Sequence, residues 1–132
     1  MKKKESIYKI VYINKFKMKL IYCAIPSRMS KKATKIMDYV ESKNNAAFNP
    51  FIAFPIERFE LGKAGREATM EYCKRAVEIC DEFWIFGVSK GTIEEMNHAI
   101  TIKKPVKTIK EFDEEWELEK SNFKETSSFY IL

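Results

Sequence analysis

The residues of this 132-residue chain that are best placed to do chemistry lie at positions 80–99, CDEFWIFGVSKGTIEEMNHA. Residues 82–87 are an aromatic and β-branched run of the kind that fills a buried strand. Residues 88–91 follow with turn chemistry and the small hydroxyl of Ser89. A helix is predicted next, with Thr92 as its cap, Glu95 three residues on, and Ile93, Met96, Ala99 and Ile100 recurring at helical spacing. The strand's carboxyl end therefore faces a helix amino terminus, where unpaired N–H groups and the helix dipole attract anionic or oxygen-rich groups. Glu95 sits at the start of that helix, and Tyr22, near the end of another apolar strand, could reach the same crevice. A plainer account competes for the first of them: Thr92 and Glu95 spell a T-x-x-E capping box, which would use both residues to satisfy helix N–H groups.

The elements that must position this junction can be read along the chain. Residues 19–25, KLIYCAI, are nearly continuous in apolar character, as a central parallel strand should be. Pro26 ends that strand, Ser27 to Ser30 turn the chain, and Ala33, Ile36, Met37 and Val40 give a first helix its buried face, with Ser30 as its cap. Residues 46–54 read as a second strand interrupted at Asn49 and Pro50, which suggests an edge position or an early end. The segment 54–65, FPIERFELGKAG, is long and irregular for a connection, so a binding loop is expected there, with Glu57 and Arg58 as candidate ligand contacts. Residues 66–80 return to helical period, with Met70, Cys73, Ala76, Val77 and Cys80 on one side, and residues 105–109 form a fourth strand. Beyond it, residues 112–118 are acidic and amphipathic.

Strands alternating with helices predict an α/β fold, a small Rossmann-like parallel sheet of four to five strands in flavodoxin-like order 2-1-3-4 with helices on both faces. In that order the switch point lies between the first and third strands. The loops at 24–28 and 87–91 then face one crevice, which makes Ala24, Ser27, Arg28, Ser89 and Gly91 candidate binding residues. Three segments follow: a basic arm or extra strand at 1–17, the α/β domain at 18–110, and an acidic amphipathic tail at 111–132.

Composition limits what the site can serve. With 45% hydrophobic residues the chain can bury one core, so one domain is expected. The charge of +5, from 24 basic and 19 acidic residues, lacks the one-sided basic clustering of a nucleic-acid interface, and supports at most an attraction for phosphorylated small molecules. Neither GxGxxG nor GxxxxGK[ST] occurs, which disfavours a dinucleotide dehydrogenase or a kinase. Cys23, Cys73 and Cys80 have no CxxC spacing and His98 is the only histidine, so no metal, cofactor or disulfide framework is expected. No apolar run approaches the roughly 20 residues of a membrane span, and a cytoplasmic location is the expectation.

The phrases IYCAIP, EYCKRAVEICDEFWIFG, SKGTIEEMNHAI and KKPV resemble the nucleoside 2-deoxyribosyltransferase-like superfamily, and within it an uncharacterised branch common in phage and bacterial genomes. The resemblance covers roughly residues 18–107. It implies a Rossmann-like sheet that cleaves or exchanges N-glycosidic bonds with a glutamate nucleophile held by a tyrosine of the first strand. At matching positions, Glu95 takes the place of the nucleophile and Tyr22 that of its partner. Gly91 and Thr92 match the small residues that let the sugar approach, Ser89 matches a turn position that is often aspartate, and Asp81 matches the aspartate opening the central strand. The departure is Cys73, which stands where the well-studied transferases carry an aspartate assisting the leaving base; Glu71 or Glu67 would substitute only if the helix phase differed.

Two functions from different classes follow. One is an enzyme acting on a nucleoside or nucleotide through Glu95, with no cofactor and no nucleic-acid or membrane partner. The other is a binding or sequestering module that keeps the crevice without the catalysis. A structural interaction protein using its tail is a weaker third. The resemblance also implies a homodimer or larger homo-oligomer, consistent with the apolar residues Phe123, Phe129, Tyr130, Ile131 and Leu132 near the end.

Overall fold

The computed structural model describes residues 18–116; the predicted arm and most of the tail, with Phe123, Phe129, Tyr130, Ile131 and Leu132, lie outside them. Four strands, β1 (Leu20–Ala24), β2 (Ala46–Phe48), β3 (Glu82–Ile85) and β4 (Val106–Thr108), form one all-parallel sheet in the order β2-β1-β3-β4. The predicted order is therefore correct, and the two strands expected at the centre are hydrogen-bonded neighbours, with Tyr22 opposite Phe83 and Ala24 opposite Ile85. A 3₁₀ helix (Ser27–Lys32) leads into α1 (Ala33–Ser42); α2 (Pro50–Ala53), α3 (Gly65–Ile79) and α4 (Lys90–Thr101) follow.

The strands alternate their side chains between two cores. Ile21, Cys23, Trp84 and Phe86 face α1, where they meet Ile36 and Val40. Tyr22, Ala24, Phe83 and Ile85 face α3 and α4, where they meet Cys73, Val77, Met96 and Ile100. Both faces of residues 21–24 and 83–86 are covered, which is why these stretches read as apolar runs.

The predicted second strand is shorter than its apolar pattern, and the reason is local. Asn49 accepts a hydrogen bond from the Phe51 N–H at 2.9 Å, and Pro50 takes the first helical position, so the chain leaves the sheet after Phe48 and starts α2. After β4 the chain does not form a helix as far as Trp116. It crosses the carboxyl ends of the strands instead: Phe112 joins the α1-side core, and Asp113 bonds the loops after β1 and β3. Among the described residues no helix is long and apolar enough to cross a membrane.

Candidate functional site

The loop after β3 and the loop after β1 touch at Gly87. A Cβ there would lie 2.4 Å from the Met29 sulfur and 2.6 Å from the Pro26 ring, so only glycine permits the approach. The chain then enters α4 one turn earlier than the spacing of Thr92 and Glu95 suggests. Ser89 is the cap: its hydroxyl accepts from the Thr92 N–H at 3.1 Å, and the Thr92 hydroxyl accepts from the Ser89 N–H at 2.9 Å. The capping box is thus Ser89 with Thr92, and the T-x-x-E reading of Thr92 with Glu95 is corrected. Glu95 falls in the second turn, where the cap does not require its carboxylate.

That carboxylate turns inward. The Tyr22 hydroxyl donates to Glu95 Oε2 at 2.5 Å, joining residues 73 positions apart, and both residues are buried, at 0% and 6% exposure. Parallel register fixes the phenol. Phe48 and Phe83 lie opposite Tyr22 on either side, and their rings stack on it at 5.6 and 5.5 Å, leaving the tyrosine little rotational freedom. Burial pushes the Glu95 carboxyl up to about 7, and hydrogen bonds from Tyr22 and Cys73 pull it partly back. Burial, and then the charge of Glu95, raise Tyr22 well above the ordinary phenol value, so it remains a donor at neutral pH. The Cys73 thiol beside them is pushed up to about 12, mainly by burial. Around neutrality this cluster therefore holds one group that changes charge, and that group is Glu95.

Glu95 lines a cavity of about 340 Å³ at the carboxyl ends of the central strands. The volume falls at the lower end of small-molecule pockets, roughly 300–1,000 Å³. Ser27, Ser89 and Gly91, from the two loops at the switch point, lie on its wall together with Thr92, and Cys73 and Met70 approach from α3. Tyr22 is behind the wall, reached through Glu95.

Other candidates lie elsewhere. Asp81 is at the amino ends of the strands, where it accepts from the Leu20 N–H at 2.7 Å, so it closes the helix-to-strand corner and does not face the cavity. Ala24 is wholly buried in the core and gives way to Ile25 and Pro26 at the cavity wall. Arg28 turns away to pair with Asp113, 2.8 Å from its Oδ1, and donates to the Val88 carbonyl. It therefore braces the two loops from outside. Glu57 and Arg58 are exposed and absent from the wall, whereas their neighbours Glu60 and Arg66 line it and pair at 2.5 Å. Glu67 and Glu71 are also exposed and off the wall, so neither brings an acid to the position of Cys73.

Compared with known proteins, the chain matches no family model and no curated protein.

Proposed function

We propose that the protein takes a nucleoside or nucleotide into this cavity and cleaves or exchanges its N-glycosidic bond, with Glu95 as the nucleophile. The observation that carries the reading is the buried Tyr22–Glu95 pair, which ends at the cavity wall where the two central parallel strands open. The resemblance to nucleoside 2-deoxyribosyltransferase-like proteins assigns its nucleophile and partner to these same two residues.

The chemistry follows from the electrostatics. With a carboxyl near 7, a substantial share of the molecules carry the Glu95 charge at neutral pH. A desolvated carboxylate is a stronger nucleophile than a hydrated one, and it faces an anomeric carbon that becomes positive as the base departs. Tyr22 holds one oxygen and leaves the other to attack. The glycosyl ester then passes to water or to a second base. Incubation with mixed nucleosides and nucleotides, read for free base, tests this: wild type should release base and Glu95→Gln should not.

The binding-module reading keeps one specific support. Cys73, with its thiol near 12, is a poor proton donor to a leaving base. A wild-type protein that binds nucleotides and never releases base would favour it. Self-association belongs to the proposal too: Ile52 and Leu61, 67% and 77% exposed, stand on α2 and on the 54–64 loop, two segments that also supply cavity residues.

A further inference from the structure

We propose that the Glu60–Arg66 pair selects the base, and that the base it selects is an oxopurine, guanine above all. The inference rests on the nucleoside reading above and names the substrate class of that site.

Among the described residues, the charged side chains on the cavity wall are Glu95, Lys90, Glu60 and Arg66. Glu95 is committed to Tyr22, and Lys90 opens α4 beside the Ser89 turn. Glu60 and Arg66 come from the other side of the sequence, the 54–64 loop and the first turn of α3, and the loop also contributes the apolar Phe54 and Ile56 to the wall. A flat ring with a polar edge fits such a surface. The pair shares the cavity wall with Cys73 and Glu95 at the reactive end.

The loop holds Glu60 in place. Phe59 bonds Pro55, Leu61 bonds Ile56, and both Gly62 and Gly65 bond the Phe59 carbonyl, so the segment is closed on itself. Gly62 is required there, because a Cβ would sit 2.2 Å from the Arg58 carbonyl oxygen. The pair itself is half-open, with side chains 29% and 64% exposed. An ion pair in that setting contributes only about 0–1 kcal/mol, so a ligand can part it at little cost.

Parted, the two side chains make specific demands. An ion-paired carboxylate offers acceptors only, and a guanidinium offers a fork of donors. Guanine meets both: N1–H and the 2-amino group are adjacent donors for Glu60, while O6 and N7 are adjacent acceptors for Arg66. Adenine and cytosine place a ring acceptor beside their single amino group, which would face the carboxylate. Thymine flanks its one N–H with two carbonyls. Hypoxanthine keeps the N1–H, O6 and N7 and loses one donor.

The test is calorimetric titration of the full-length protein with deoxyguanosine, deoxyinosine, deoxyadenosine and thymidine, with free base measured in the same solutions. Deoxyguanosine should bind about tenfold or more tightly than deoxyadenosine and thymidine, with deoxyinosine between them; tenfold corresponds to about 1.4 kcal/mol. Glu60→Gln, which keeps the side chain's size, should erase most of that preference, and Arg66→Met should weaken both purines with oxygen at position 6. Equal binding of deoxyadenosine, or a preference that survives Glu60→Gln, overturns the proposal. Guanine selection without base release sinks the glycosidase reading alone, and release without selection sinks this inference alone. No binding of any of the four, offered both as nucleosides and as their 5′-monophosphates, overturns both.

Discussion

Replacing Glu95 by glutamine separates a structural carboxylate from a functional one, because the two make opposite demands on stability. Glutamine keeps an oxygen to accept from Tyr22 and removes the charge. In the folded protein the Glu95 carboxyl titrates near 7 against an ordinary 4.5, chiefly through burial. The native state therefore holds a proton that the unfolded chain has already lost between those values, and stability falls as pH rises through that window. At about 1.4 kcal/mol per pH unit, the loss amounts to about 3 kcal/mol above pH 8. Glu95→Gln escapes it. The variant should match wild type near pH 4.5 and exceed it by about 3 kcal/mol at pH 8, on the order of 10 °C in Tm. Chemical denaturation of both proteins from pH 4.5 to 8.5 reads the difference directly. A stability gap that does not grow with pH would refute a desolvated Glu95. A stabilised protein that no longer releases base is the expected mark of a carboxylate kept for function at the expense of the fold.

Tyr22→Phe removes a hydrogen bond that lowers the Glu95 pKa, so the alkaline shift of Glu95 should grow and the acidic limb of the pH–rate profile should move to higher pH; an unmoved limb would show that Tyr22 does not hold the reacting carboxylate. Asp113→Ala strips acceptors from Arg28, from the Val88 N–H and from the Glu115 N–H, and should cost about 2–3 kcal/mol in urea unfolding. Since Arg28 holds the Asp113 carboxyl below its ordinary value, that contribution is present at neutral pH and fades as pH falls through the acid range, opposite in sign to Glu95. Gly87→Ala must displace both Met29 and Pro26 and should cost about 1–3 kcal/mol, whereas Gly91→Ala, whose added methyl meets nothing nearer than 3.5 Å, should leave stability within about 0.5 kcal/mol and affect only ligand affinity.

The sheet order was legible because residues 21–24 and 83–86 of the two central strands are buried on both faces and so had to be largely apolar. Tyr22 was legible for the same reason: it is the polar-tipped residue of a buried stretch, on the face covered by α3 and α4. The helix start was misjudged because Ser89 and Thr92 are both capping types three residues apart. What decided between them was the end of β3 at Ile85, two residues before the predicted end, which brings Ser89 to the cap. The signal for α2 was present in Asn49-Pro50, a cap followed by the residue best suited to the first helical position, and an apolar run hid it. Glu60 and Arg66 were not legible. Side-chain direction in an irregular loop follows no period, so Glu57 and Arg58 looked equally suitable, and only the backbone bonds to Pro55, Ile56 and Phe59 turn the later pair toward the cavity. The brace from Asp113 to Arg28, 85 positions apart, likewise leaves no local pattern.

The central claim is that Glu95 forms a bond to the sugar, and the most direct test is to trap that bond. Full-length protein incubated with a 2-fluoro-2-deoxyarabinosyl nucleoside, whose fluorine slows turnover of the glycosyl ester, would be digested with protease and mapped by mass spectrometry. The account predicts a fluoropentosyl mass increment on the peptide containing Glu95, accompanied by stoichiometric free base and absent from Glu95→Gln. Base release with the increment on another residue, or base release of equal rate from Glu95→Gln, would contradict it.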